Sequence, residues 1–254
     1  MGGISSLILS FANIIAVRRT RYFVHSGLVG FLPMRQRKSE LYEWISFFKR
    51  GVCMFCSLER AVERFREGEF VILVDDADRE NEGDLIVAAQ FVDADRINFM
   101  LREARGMLHL ATTEDHLRRI GVDLIEPKNA DVNTPRFGLP FDARSGISTG
   151  ISTMDRARTV QAALDSNAGP DDFVIPGHIL PLAARPEGLA VRRGHTEGSV
   201  ALARLSGLFP AALMSEVMAP KGHMARGDEL LAFAHNTGID IIDVAQISAV
   251  ALGF

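Results

Sequence analysis

The chain has 254 residues, 47% of them hydrophobic and 24% charged, with a formal net charge of −4 and two cysteines. This is the composition of a globular protein, and it excludes a collagen-like, low-complexity or disulfide-stapled chain. No second cysteine pair or histidine cluster completes a zinc site with Cys53 and Cys56. The pair is therefore read as two incidental thiols in a reducing compartment, the cytoplasm.

Charge divides the chain. Residues 1–56 carry eight Lys/Arg against Glu40 and Glu43, a net of +6, which leaves −10 for the rest. So acidic a body is a poor partner for nucleic acid, whose binding rests on neutralising phosphates. No membrane partner is expected either. The apolar run Leu7–Val17 is too short to span a bilayer, and its basic cluster follows it instead of preceding it as in a secretory signal. An acid-poor start containing arginines is also the pattern of an organellar transit peptide. The reading adopted for 1–56 is a disordered extension or a mis-assigned start ahead of Met54. Residues 57–254 are then one catalytic domain.

From Ser57 the pattern becomes regular. Ser57 is a cap for a helix over 58–67, with Leu58, Ala61, Val62 and Phe65 on one face and Gly68 as its stop. Phe70–Val74 reads as a buried strand, and Leu85–Val92 as a second. Asp93 caps a helix carrying Ile97, Met100 and Leu101. Met107–Ala111 is a strand, and 113–120 a helix ended by Gly121. Residues 122–152 are rich in Pro, Gly and Asn and hold one weak strand near Phe137–Phe141. A helix spans Thr153–Leu164. Asp165–Pro176 reads as a loop and His178–Ala183 as a strand. A helix at 195–206, a strand at 211–218, a helix at 227–236 and a last strand at 239–244 complete the domain. Strands and helices alternate without strict βαβ order, so the fold class is α+β, a single mixed sheet flanked by helices.

Two stretches carry chemistry. In the first, Asp75 to Asp84, six of ten residues are carboxylates (Asp75, Asp76, Asp78, Glu80, Glu82, Asp84). The loop is anchored between two apolar runs, and so much negative charge needs an offsetting cation. Mg²⁺ takes such oxygen ligands. Arg79 inside the run is able to pair with an acid or a phosphate. A solvated acidic turn is the ordinary alternative. The second stretch is Arg192-Arg193-Gly194-His195-Thr196-Glu197, which opens a helix. Its backbone N–H groups, arginines and Thr196 hydroxyl suit an anion, and His195 is a potential metal ligand. A plain capping arrangement is the alternative there. His178, after Pro176-Gly177, is either a turn residue or a general acid/base.

These stretches, with Gly146-Ile147-Ser148-Thr149-Gly150, Asp155-Arg156 and Ile175-Pro176-Gly177-His178, closely resemble the 3,4-dihydroxy-2-butanone 4-phosphate synthase family of riboflavin biosynthesis. The similarity runs from about Ser57 to Phe254. The resemblance implies a lyase, an α+β homodimer with active sites at the subunit interface. It implies Mg²⁺ or Mn²⁺ as cofactor and D-ribulose 5-phosphate as substrate, with L-3,4-dihydroxy-2-butanone 4-phosphate and formate as products. It implies Glu80 and His195 as metal ligands. Substrate contacts would come from Arg79, Glu80, Asp84, Arg192, Arg193, Gly194, His195, Thr196 and Glu216, and catalysis from His178, Glu216 and Asp84. It also implies that the chain, ending at Phe254, has no room for the GTP cyclohydrolase domain that some members carry.

The chain departs from the family pattern at several places. His109 and Ser215 stand where cysteine is common, Ile175 where arginine is, and His223 where threonine is. Asn133–Asp142 is altered, with Pro135, Arg136 and Pro140. The departures keep two further readings in play: a relative acting on another sugar phosphate, and a non-catalytic phosphosugar-binding homologue.

Overall fold

The computed structural model describes residues 55–251 except 77, 130 and 132, together with the backbone of 13–17, 20–25 and 28–32. The chain divides into two units, Met1–Val52 and Cys53–Phe254. In the first, β1 (Asn13–Val17), β2 (Thr20–His25) and β3 (Leu28–Leu32) form an antiparallel meander. The remainder of that unit lies outside the described residues, and the disordered or mis-assigned extension expected over 1–56 falls largely there.

The second unit is a mixed sheet with helices on both faces. Its strands are β4 (Val71–Val74), β5 (Gly83–Ala88), β6 (His109–Thr113), β7 (Phe141–Ala143), β8 (Phe173–Ala184), β9 (Ala212–Glu216) and β10 (Ile241–Asp243). Among the described residues they lie in the order β10-β4-β5-β9-β6-β8-β7. Only β10–β4 and β6–β8 are parallel. The helices are α1 (Leu58–Arg66), α2 (Ala94–Glu103), α3 (Glu114–Arg119), α4 (Thr153–Leu164), α5 (His195–Leu205), α6 (Asp228–Thr237) and α7 (Val244–Ala251). None of the described helices is long and apolar enough to cross a membrane.

Strand alternation splits the core into two layers. Ile72, Val74, Leu85, Val87, Leu110 and Leu213 pack against α2 and α4 through Ile97, Met100, Val160 and Ala163. Val71, Leu73, Ile86, Ala88, Ala111 and Met214 face α1, α5 and α7 through Phe65, Leu202 and Ile247. A sheet covered on both sides needs continuously apolar strands, and Val71–Val74 is buried at every position. Burying one such side chain contributes about 1.5–3 kcal/mol.

Helix starts follow the caps read from the sequence at Ser57 and Asp93, and Thr113, read as the first helical residue, is a cap as well. Ser57 Oγ accepts from the Arg60 N–H, Asp93 Oδ1 from Arg96 and Thr113 Oγ1 from His116. Each such cap contributes about 1 kcal/mol. Gly68, at φ +77°, closes the turn after α1.

The strand expected at 85–92 spans Gly83–Ala88 and gives way to a 3₁₀ turn over Ala89–Phe91, and three further expectations need correction. The strand expected at 178–183 begins at Phe173. Pro176 and Gly177 look like a turn in sequence, but they fall beside a register shift at Phe141/Asp142, where a residue without an N–H is tolerated. The weak strand expected at 137–141 lies at 141–143, with single bridges at Phe137 and Gly138. The last strand ends at Asp243, and α7 follows it. There Asp243 Oδ1 takes the Ala245 N–H, and Val244 and Ile247 are buried.

Candidate active site

The acidic stretch is the connection between the antiparallel strands β4 and β5, and one buried carboxylate organises it. Asp75 is 1% exposed. Its Oδ1 accepts the Glu82 N–H at 2.9 Å, and its Oδ2 accepts the Glu80 N–H at 3.2 Å and Arg79 Nη1 at 2.8 Å. Arg79 Nη2 also meets Glu80 Oε1 at 2.8 Å. Arg226 clamps the far side, donating to the Glu80 carbonyl at 3.1 Å and pairing with the Glu82 carboxylate. Like charges in this loop are thus held by two arginines and by backbone donors.

The second motif reaches the same place from the start of α5. Gly194 is the helix cap, and His195, Thr196 and Glu197 are buried. His195 Nε2 lies 3.2 Å from the Glu82 carbonyl and 3.8 Å from Asp75 Oδ1, while Nδ1 lies 3.9 Å from Asp84 Oδ1. Glu197 does not face the loop. It forms a buried ion pair with Arg192 at 2.5 Å and takes the Arg185 N–H at 3.0 Å. Arg192 also donates to the Asn133 carbonyl at 3.2 Å. A side chain at Gly194 would sit 2.5 Å from Arg192 Nη1, which is why this turn carries glycine.

Asp84 is the second residue of β5, directly opposite Glu216 on β9. Alternation puts Asp84, Glu216, Met214 and, across β9, His109 on the sheet face that α5 covers. Burial raises the Asp84 carboxyl to about 7; His195 opposes that rise, and the charges of Glu216, Glu80 and Asp75 add to it. Its Oδ1 has no hydrogen-bond partner among the described residues. Burial is likewise the main cause of a raised Glu82, opposed by Arg226.

Glu216 Oε2 accepts the Met107 N–H at 2.8 Å, and its Oε1 lies 3.7 Å from His109 Nδ1. Gly106 must be glycine here, because a Cβ would lie 2.5 Å from the Glu216 carbonyl oxygen and carboxylate. Burial lowers the His109 imidazole, while Glu216 and the Met107 backbone act in the opposite direction.

These groups line a cleft of about 670 Å³ that holds Arg79, Glu80, Asp84, Arg192, His195, Thr196 and Glu216 from the two motifs and β9. Arg193 is outside the lining, half exposed and 3.5 Å from Asp76. His178 is outside it too, on β8. Asp142 holds it there, Oδ2 meeting Nδ1 at 2.6 Å and Oδ1 taking its N–H at 2.9 Å. The Gly146–Gly150 stretch belongs to this second cluster. A Cβ on Gly150, at φ +90°, would reach within 2.2 Å of Asp142 Oδ2. Asp155 ties the stretch to α4 through the Ser148 N–H and hydroxyl and the Gly150 N–H. These hydrogen bonds, the Ser148 hydroxyl's first, hold its carboxyl at about 2. A separate hollow of about 320 Å³ beside Arg64, Phe99 and Asp240 contains none of the motif residues.

Sequence reasoning missed three participants. Asp75 was one acid among six, and its burial is set by the fold. Arg105, at φ +69°, lines the cleft from the end of α2, and Arg226 arrives from the loop before α6; neither stands in a motif. Of the departures from the family pattern, His109 and Pro135 line the cleft. Ser215 pairs with Leu85, on the opposite sheet face, and Ile175 and His223 are not part of the lining.

The donor set suits a small divalent cation. Asp75, Glu80 and His195 each offer one ligand atom, all within 4.8 Å of one another. Metal–oxygen distances of about 2.1 Å bring such atoms into one coordination sphere after a small inward movement. Glu80, at 47% side-chain exposure, has room to make it.

Comparison with known proteins places the chain in a family. The model of the 3,4-dihydroxy-2-butanone 4-phosphate synthase family matches residues 59–250. The synthase of Pseudomonas syringae pv. tomato is 47% identical over 193 residues, 76% of this chain and 52% of its own length. The riboflavin biosynthesis protein RibBA of Aquifex aeolicus is 45% identical over 195 residues, 76% of this chain and 48% of its own. The chain thus spans about half the length of these relatives. A crystal structure of 3,4-dihydroxy-2-butanone 4-phosphate synthase in complex with two magnesium ions superposes with a TM-score of 0.72 at 34% identity, over 76% of this chain and 95% of that one.

Proposed function

The chain belongs to the 3,4-dihydroxy-2-butanone 4-phosphate synthase family, and from that premise we propose that it converts D-ribulose 5-phosphate into L-3,4-dihydroxy-2-butanone 4-phosphate and formate. The observation that carries the proposal is the convergence of Glu80, Asp84, His195 and Glu216, from three separate stretches, on one cleft. The proposal extends to a cytoplasmic homodimer using Mg²⁺ or Mn²⁺.

Glu80 and His195 would hold the cation, with Asp75 beside them. A cation bound there supplies Lewis-acid stabilisation of negative charge on the sugar's oxygens. The rest is done by side chains. Asp84, with its carboxyl near 7, is poised to take a carbon-bound proton at neutral pH. Glu216 accepts from substrate hydroxyls, its second oxygen being anchored by the Met107 N–H. Arg79, Thr196, Gly194 and the start of α5 bind oxygens of the sugar phosphate, with Arg192 and Arg193 alongside.

His178 is assigned to proton transfer. Asp142 engages its Nδ1 and leaves Nε2 for the reaction. Because His178 stands outside the cleft of its own chain, the proposal assigns it to the cleft of a second copy. Such a site is shared across a two-fold interface.

Formate release from ribulose 5-phosphate, with and without EDTA, tests the reaction. Mg²⁺-dependent formate is expected from the parent and none from Glu80→Ala. Folded, metal-supplied parent protein that releases no formate overturns the proposal. Mixing inactive Glu80→Ala with inactive His178→Ala tests the shared site. Random exchange of protomers should restore about a quarter of the parent activity, whereas sites contained within one chain restore none.

A further inference from the structure

His109 is a buried side chain whose polar atoms the reaction proposed above does not use. Its residue is 3% exposed, and neither ring nitrogen makes a hydrogen bond of normal geometry among the described residues, the Met107 backbone being near enough only to favour the charged ring. Buried polar atoms are nearly always satisfied, so an unpartnered imidazole on a cleft wall points to a group that arrives from outside. Phe137, also in the cleft wall, packs against the ring at a centroid distance of 5.7 Å and a tilt of 56°. The backbone is fixed, since His109 pairs with Met214 on one side and Leu180 on the other.

The nearest charged group is Glu216, whose Oε1 stands 3.7 Å from His109 Nδ1. That is too long for a direct hydrogen bond. One intervening oxygen reaches both atoms with arms of about 2.8 Å at an angle of about 83°, and a turn of the Glu216 carboxylate widens that angle toward the tetrahedral value. Glu216 Oε2 is already committed to the Met107 N–H, which leaves Oε1 for the cleft. An imidazole N–H donates and a carboxylate oxygen accepts, so a group that carries an O–H, as a sugar hydroxyl does, satisfies both.

We propose that His109 Nδ1 and Glu216 Oε1 together bind one hydroxyl of the sugar phosphate, His109 donating to its oxygen and Glu216 accepting its hydrogen. His109 is then a substrate-contacting residue. The inference rests on the sugar-phosphate reading of the cleft.

The test compares the full-length parent, His109→Phe and His109→Gln with Mg²⁺ and ribulose 5-phosphate. Phe keeps the packing on Phe137 and removes both nitrogens, whereas Gln keeps a donor. Three quantities are read: kcat and KM for formate release, the Tm of the protein without substrate, and the Tm rise on adding ribulose 5-phosphate. His109→Phe should lose about tenfold or more in kcat/KM, the cost of leaving a buried partner unpaired. Its Tm without substrate should equal or exceed that of the parent, because an unpartnered polar group has been removed. His109→Gln should recover to within about threefold of the parent. A packing role instead predicts a lower Tm for Phe and no rescue by Gln, and that outcome overturns the inference. A His109→Phe protein within about twofold of the parent overturns it as well. Failure of the functional reading looks different: the parent itself then releases no formate. The substrate-induced Tm rise decides His109 in that case, and an equal rise in parent and His109→Phe, or none in either, overturns the inference.

Discussion

Replacing Asp84 with Asn should stabilise this protein in alkaline, metal-free solution, and the gain should shrink in mild acid. Asp84 is buried, faces Glu216 across the strand pair, and has an oxygen with no partner among the described residues. Its carboxyl is raised from 3.8 to about 7 on folding, chiefly by burial. A carboxyl raised on folding holds its proton more tightly in the folded state. Stability therefore falls as pH climbs from near 4 to near 7 and is level above that. At about 1.4 kcal/mol per pH unit, the cost at pH 8.5 is about 4 kcal/mol, a large part of the roughly 5–15 kcal/mol that folded domains possess. Asn has the same shape and never ionises. Urea unfolding in EDTA should show Asp84→Asn more stable than the parent by about 4 kcal/mol at pH 8.5 and by only about 1.5 kcal/mol at pH 5. Formate production should be abolished at both pH values. A variant no more stable than the parent at pH 8.5, or a difference that ignores pH, refutes the assignment of a buried, strained charge to Asp84.

Asp75→Asn removes the carboxylate that gathers Arg79, Glu80 and Glu82. It should cost about 2–3 kcal/mol by urea titration and weaken the Tm rise that Mg²⁺ gives the parent. Gly106→Ala drives a methyl group against the Glu216 backbone, where no rotamer change relieves it. Formate kinetics should show kcat/KM down tenfold or more, with a stability loss of about 1–3 kcal/mol. Asp142→Asn keeps the shape of the His178 partner but removes its charge. It should lower kcat while leaving KM within about twofold.

The sequence determined most of the local structure. Caps at Ser57, Asp93 and Thr113 fall where hydroxyl and carboxylate side chains precede apolar helical faces, because capping is settled within a few residues. The buried run Val71–Val74 and the mixed α+β order were legible for a similar reason, since period and apolarity are local properties. The two motifs were visible as chemistry, as charge that needed a cation and a helix start that suited an anion. Tertiary structure alone decided how those residues divide the work. The six acids of the loop look equivalent in sequence, yet packing buries Asp75 as the organiser and leaves Glu80 half exposed. Pairing of β5 with β9 sets Asp84 against Glu216, 132 residues away in the chain, and desolvation there raises its carboxyl. Arg192 stands in the anion-binding motif, but its guanidinium is held by Glu197. His178 reads as a partner of the cleft and instead pairs with Asp142 outside it. Burial, strand register and distance between remote segments are sums over the whole fold, and no window of sequence contains them.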